Sequence, residues 1–268
     1  MQRAELQKAL TVATLAAEGV GASMRRQLHA IKKANEITQH DIKLELDVSS
    51  QQFIEARLRR VFPKIDLLGE EGISGATDAT WRWVVDPIDG TVNFAYGIPH
   101  ASVSIALQLR APTPSQADYP DGYNSMVGVV YDPFCRELWT VIRGESTRLN
   151  GKVIQVSSRR KLCDAMVAIG FAKTRKILTA TLPYFNRLVH RVRKVRIMGS
   201  AALALTYVAT GRFDAYVERG VRLWDIAAGG LIVQGAGGEF WHKPASGEYT
   251  YRMVASNGLL RRKLQVPD

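Results

Sequence analysis

Asp86-Pro87-Ile88-Asp89-Gly90-Thr91 places two carboxylates three residues apart across a proline-containing turn, directly behind the apolar run Trp81 to Val85. Carboxylates so spaced can converge on a hard divalent cation, which prefers oxygen ligands, and Gly90 would let backbone amides approach an anion closely. The chemistry this points to is a divalent-metal site facing a phosphate. Gly69-Glu70-Glu71-Gly72 brings two more carboxylates after another apolar run, and Trp224-Asp225-Ile226-Ala227-Ala228-Gly229 brings an acid at an expected helix start. Three separated acidic clusters suggest one composite site. Each fragment alone also has a structural reading, since Asp-Pro-x-Asp-Gly is a common turn and Glu-Glu pairs usually sit on solvated faces. The five histidines, His100 among them, show no ligand spacing and read as structural.

Strands must deliver these groups and turns must aim them. Leu67-Leu68 leads into the Glu70 pair, and Trp81 to Val85 reads as a buried strand ending at Asp86, so both motifs are expected at strand ends. Ahead of them stand an opening helix from about Gln2 to His29, a polar stretch Lys32 to His40, and a second helix from about Ser49 to Val61 that Pro63 helps to stop. Ser102 to Leu109 and Met126 to Tyr131 are strand-like. Asp132-Pro133 turns into Glu137 to Arg143 as a hairpin. Ala111 to Asn124, rich in Pro, Asp and Ser, is longer than a hairpin needs and reads as a surface insertion. Asn150-Gly151 is a turn signal, and the composition change around it divides the chain into halves 1–148 and 149–268. The second half reads as α/β: strands at Met166 to Gly170, Arg193 to Ile197 and Phe213 to Val217, and helices at Leu182 to Val192 and Ser200 to Thr210. A last helix, Asp225 to Gln234, takes Asp225 as its N-cap, where an acid is stabilised as the anion. Val254 to Ser256 closes the final strand.

With 268 residues, 46% hydrophobic and 23% charged, the chain has the composition of a globular enzyme with a sizeable core. No apolar run approaches the roughly 20 residues that cross a bilayer, so no membrane role is expected. Leu10 to Ala17 reads as the buried face of the first helix rather than a secretory signal. Cys135 and Cys163 are the only cysteines and lack metal-ligand spacing, which fits a reducing compartment and makes the cytoplasm the expected location. The net charge is +11, and between Arg148 and Arg196 thirteen basic residues stand against Asp164 alone. That excess reads either as a solvated basic surface or as an attraction for polyanions, nucleic acid included.

The Gly-Glu-Glu element, Asp86-Pro87-Ile88-Asp89-Gly90-Thr91 and Trp224-Asp225-Ile226-Ala227-Ala228-Gly229 occur in the order of the inositol monophosphatase family, which the chain resembles from the first helix to about Gly238. Asp41, Asp47, Gly199-Ser200-Ala201-Ala202 and Asp214-Ala215-Tyr216-Val217-Glu218 add to the likeness. The resemblance implies a layered α-β-α-β-α sandwich of the sugar-phosphatase fold, and magnesium as cofactor, two to three ions per site. By resemblance Asp86 bridges two ions, with Glu70 and the Ile88 carbonyl completing one shell and Asp89 and Asp225 the other. Thr91 and Glu70 hold the attacking water, and the Gly90 and Thr91 amides hold phosphate oxygens. Asp89, backbone atoms at Ala201, and Glu218 contact the leaving group. Glu71 stays outside the catalytic set. The implied activity is hydrolysis of inositol monophosphate. Histidinol phosphate, fructose 1,6-bisphosphate and 3′-phosphoadenosine 5′-phosphate are the alternatives, and Lys173, Arg175 and Lys176 would serve a second phosphate. Homodimerisation and lithium sensitivity are implied too, the latter weakened because Ile42-Lys43-Leu44-Glu45 replaces a Val-Thr pair between Asp41 and Asp47. Some bacterial relatives serve in RNA or transcription assemblies, the reading from a different class.

Overall fold

The computed structural model describes residues 1–31, 34–37, 42–76, 78–171 and 175–266. Asp41 and Lys173, and the side chains of Lys43 and Lys176, fall outside the described parts, and with them most of the third-metal and second-phosphate expectations.

Helix α1 (Arg3–Gln27) buries Leu6, Ala9, Val12, Ala13, Ala16, Ala17, Val20 and Met24, the helical stripe expected from the sequence. The stretch expected to be merely polar contributes a small hairpin, β1 (Ala34–Ile37) and β2 (Ile42–Leu44). Helix α2 (Glu45–Val61) follows, starting a turn earlier than Ser49 because the Asp47 carboxylate accepts from the Leu44 N–H at 2.7 Å. Then come β3 (Asp66–Gly69), β4 (Gly72–Ser74), β5 (Trp81–Asp89), the short helix α3 (Thr91–Ala95), β6 (Ser102–Arg110), β7 (Tyr123–Asp132), β8 (Glu137–Ile142), β9 (Arg148–Leu149) and β10 (Lys152–Val153). These strands form an eight-stranded sheet in the order β10-β9-β8-β7-β6-β5-β3-β4, antiparallel except where β3 runs parallel to β5. The Asn150-Gly151 signal makes the β9–β10 turn, with positive φ at both residues (48° and 79°) as a type I′ hairpin requires.

The second sheet is assembled from β11 (Met166–Ile169), β12 (Lys194–Arg196), β13 (Ala215–Arg222), β14 (Glu239–Pro244) and β15 (Thr250–Ser256), in the order β12-β11-β13-β15-β14. Interleaved are α4 (Arg175–Val189), α5 (Ala201–Ala209), α6 (Leu223–Gly235) and α7 (Arg261–Leu264). Helix α4 runs a turn and more ahead of Leu182, carrying Pro183 in its interior rather than in its first turn. Three apolar cores stack through the molecule. One joins α1 and α2 to the outer face of the first sheet. The second places α5 and α6 between the two sheets. The third packs Tyr184 and Leu188 of α4, and Leu264 of α7, on the far face of the second sheet. The architecture is the α-β-α-β-α sandwich.

The insertion between β6 and β7 is not a loose surface segment: Tyr119 and Tyr123 are buried. Its reason is Arg82, which lies inside the apolar strand β5 and is 2% exposed. The guanidinium donates to Gln108 Oε1 at 3.0 and 2.7 Å, pairs with Asp121, and stacks on the Tyr123 ring at 3.6 Å. A buried cation needs a partner, and the insertion supplies it.

Candidate active site

Asp86 and Asp89 lie at the C-terminal end of β5, and both are buried. In a regular strand, residues three apart face opposite sides. Here the β5–β6 ladder pairs Asp86 with Ser104 and Asp89 with Ser102, so one extra residue is accommodated on β5 between them. That bulge turns both carboxylates to the same face. Asp225 arrives from the middle layer, at the third position of α6 rather than as its N-cap: the chain enters the helix at Arg222, whose N–H donates to the Asp225 carboxylate at 2.7 Å. Oxygens of Asp86, Asp89 and Asp225 all come within 4.8 Å of one another.

This is an electrostatically costly arrangement. Burial raises the Asp86 pKa well above the usual carboxylate value, and Glu70, Asp89 and Asp225 raise it further. Asp225 is likewise raised, by burial first and then by Asp89 and Glu70. The helix N-terminus, expected to keep Asp225 anionic, is outweighed by these neighbours. Asp89 is raised by burial too, offset by its hydrogen bonds. It accepts from the Ser200 hydroxyl, from Ala202 N–H at 2.8 Å and from Ala201 N–H at 3.2 Å, with Ser102 at 3.4 Å. The Ala201 and Ala202 amides at the start of α5 therefore serve a carboxylate of the chain itself. The Ala201 N–H is committed to Asp89, so a substrate contact at this residue would fall to its other atoms. Ser200, absent from the sequence-derived site, caps α5 by accepting from Leu203 N–H at 3.3 Å and fixes Asp89 in the same stroke. A helix-start serine was the signal for it.

Glu70 sits in the turn after β3, its N–H on Val85 O at 3.1 Å, and its carboxylate interacts with Asp86. Gln51 of α2 clamps this turn, accepting from Glu71 N–H at 3.0 Å and donating to Gly72 O at 3.1 Å. A Cβ at Gly69 would overlap the Gln51 amide. The Asp86 carboxylate accepts from Ile88 N–H at 3.0 Å, which shapes the loop, and Thr91 Oγ1 donates to Ile88 O at 2.8 Å. Gly90 adopts φ +90°, and a side chain there would press within 3.0 Å of His100 O and 3.2 Å of Gly199 O. Asn93 locks the same corner, donating to His100 O and Met198 O. His100 stacks edge-on to Tyr207, and burial lowers its pKa. Glu218 lies within β13, not at a strand end, and its charge is felt at Asp225. Glu70, Asp86, Ile88, Asp89, Gly90, Thr91, Ala201, Glu218 and Asp225 thus come from three layers to one region, while Arg175 stands exposed at the start of α4.

The donor set fits a hard divalent cation: three carboxylates converge, and Asp89 and Asp225 are held by the Ser200 hydroxyl and backbone N–H groups rather than by a cation of the chain. Comparison with known proteins agrees in kind. The sequence model of the inositol monophosphatase family matches residues 5–262, beyond the Gly238 limit expected from motifs. Inositol monophosphatase 1 of Solanum lycopersicum is 36% identical over 267 residues, covering 96% of this chain and 93% of that protein. The Nus factor SuhB of Pasteurella multocida is 40% identical over 201 residues, 74% of this chain and 71% of that protein. The structure of inositol monophosphatase from Anabaena superposes with a TM-score of 0.82 at 33% identity, covering 98% of both chains. With its motifs in order, its five layers matched and nearly its whole length aligned, the chain belongs to the inositol monophosphatase family.

Proposed function

We propose that this protein is a magnesium-dependent phosphomonoesterase that hydrolyses inositol monophosphate or a related small polyol phosphate. The observation that carries the reading is the convergence of buried Asp86 and Asp89 with half-buried Asp225, with a carboxylate oxygen of each within 4.8 Å of the others. Glu70, Asp86, the Ile88 carbonyl, Asp89 and Asp225 would hold the ions. Bound there, divalent cations supply charge neutralisation of the phosphate and acidification of water, which a phosphate monoester needs because its own oxygens repel nucleophiles.

The chain's residues do the positioning. Thr91 spends its own proton on Ile88 O, so its oxygen is left as an acceptor for a proton of the attacking water. Glu70, beside Asp86 and partly exposed, is the carboxylate placed to share that water. Gly90, at φ +90°, lets the turn close against His100 O and Gly199 O, and the Gly90 and Thr91 amides would meet the phosphate oxygens. Glu218 faces the region from the second sheet and would accept from leaving-group hydroxyls. The same reading takes the protein as a cytoplasmic, lithium-sensitive homodimer. Among the described residues no helix is long and apolar enough to cross a membrane.

The test is release of inorganic phosphate with and without magnesium from inositol 1-phosphate, histidinol phosphate, fructose 1,6-bisphosphate and 3′-phosphoadenosine 5′-phosphate. Asp86→Asn should abolish turnover, and near wild-type rates in that variant would sink the assignment.

A second reading, as a binding protein for RNA or a transcription complex, is favoured by the relatives named Nus factor SuhB and by the basic segment. Part of that segment has internal work. Arg159 pairs with buried Asp214, Arg193 with Asp164, and Arg191 holds Gln265 and Lys263 O. Lys194 and Arg196 stay exposed on β12, the edge strand of the second sheet, along a groove of about 360 Å³ that Phe185, Val189 and Ile197 also line. We propose polyanion binding there as an added role.

A further inference from the structure

We propose that Tyr216 is a positioning residue for the leaving-group side of the site, setting its preference for polyhydroxylated phosphates by fixing the Glu218 carboxylate. The inference rests on the phosphatase reading above. Tyr216 and Glu218 are two residues apart on β13, so their side chains leave the same face of the sheet, the face that packs against the middle layer. The Tyr216 hydroxyl donates to Glu218 Oε2. Its ring is 3% exposed within the core between the sheets, so the hydroxyl has little freedom to move.

The same carboxylate, at the same Oε2, lies against the backbone of Gly170. This residue follows β11, donates its N–H to Val217 O at 3.0 Å, and has no side chain where one would overlap the Glu218 carboxylate. Glu218 is therefore seated against a fixed hydroxyl and bare backbone. A glutamate has three side-chain torsions, and orienting one by binding a substrate alone costs rotamer freedom. Tyr216 and Gly170 set the orientation beforehand. An ionised carboxylate has about four acceptor positions, so the bond from Tyr216 does not exhaust its capacity for substrate hydroxyls. The site is continuous with the acidic cluster, since Glu218 acts on Asp225, and Asp89 and Asp225 act on Tyr216. A buried tyrosine that only satisfied its own hydroxyl would have no reason to influence which ester is chosen.

The experiment compares kcat/KM for inositol 1-phosphate with that for 4-nitrophenyl phosphate, whose leaving group carries no further hydroxyl, in wild type, Tyr216→Phe, Glu218→Gln and the double variant, all with magnesium. Tyr216→Phe keeps the ring and removes the donor. The ratio of the two specificity constants should fall roughly five- to tenfold, the effect of one net hydrogen bond, mostly through KM for the inositol ester. The double variant should lose no more than Glu218→Gln alone. Gly170→Ala, which places a methyl where the Glu218 carboxylate now lies, should lower the same ratio and covers the case in which Tyr216→Phe does not fold. An unchanged ratio in the folded variants, or equal losses on both esters, overturns the positioning role while leaving the phosphatase reading intact. No magnesium-dependent release from either ester by the wild-type protein overturns both.

Discussion

Replacing Asp225 by Asn should make the metal-free protein more stable and the magnesium-loaded protein less so, a reversal that follows from the geometry of the cluster. Two unit charges 4.8 Å apart repel by roughly 3.5 kcal/mol at an effective dielectric of about 20. Charge spread over two oxygens, and water at the cleft, leave about half of that per pair. Asp225 faces both Asp86 and Asp89, so removing its charge should relieve about 2–3 kcal/mol at pH 8 in EDTA, after subtracting the Arg222 N–H bond that a carboxylate accepts best. Each kcal/mol moves the midpoint of a chain this long by about 2–4 °C. The variant should therefore melt about 4–12 °C above wild type in EDTA. With magnesium at about 1,000 times its dissociation constant, wild type should gain about 4.1 kcal/mol, more than the variant's advantage, and the variant, short of a ligand, little.

The pH dependence supplies the sign. Asp86 and Asp225 have raised pKa values in the folded state. Their favourable contribution is complete below the ordinary carboxylate value and is lost as pH rises through the raised one. In EDTA the gap between variant and wild type should thus narrow as pH falls from 8 toward 5. Thermal melts monitored by circular dichroism read all three quantities. An Asp225→Asn variant that melts at or below wild type in EDTA at pH 8 would refute the electrostatic account.

Two other outcomes are expected. Arg82→Met should destabilise the fold by about 3–5 kcal/mol in urea unfolding, because it strands Asp121 and Gln108 without their cation; a loss below about 1 kcal/mol would show that the insertion stands without it. If the β12 groove binds polyanions, association with single-stranded RNA should weaken steeply with salt, and Lys194→Ala with Arg196→Ala should reduce both the affinity and the salt slope; unchanged binding in that double variant would remove the groove from consideration.

The metal-site motifs were legible in the chain because their chemistry is local: the carboxylates, the turn and the glycine are neighbours in sequence. What brings them to one face is not local. The bulge between Asp86 and Asp89 exists only in the register of β5 against β6, where Ser104 and Ser102 answer them. No pattern within residues 86–91 announces it. The same holds for Asp225, which reads as an N-cap from its place before an apolar run but enters as the third helical residue because Arg222 is the N-cap and the helix begins at Leu223. Arg82 was hidden in an apolar strand, and its partner Asp121 in a stretch whose prolines and serines suggested solvent. Composition marks a loop but does not reveal that two of its tyrosines are buried. Ser200 shows the limit most sharply. The sequence offers a helix start with amides pointing outward, an arrangement equally suited to a substrate anion. Only the fold shows that Asp89 of the chain itself reaches those amides first. The consequence is mechanical as well as electrostatic: through Asp89, the strand that bears the metal motif is tied to the helix layer that bears Asp225. Neutral donors hold the acid without cancelling its charge, so the cluster keeps its attraction for a cation while its geometry is fixed by bonds that need none.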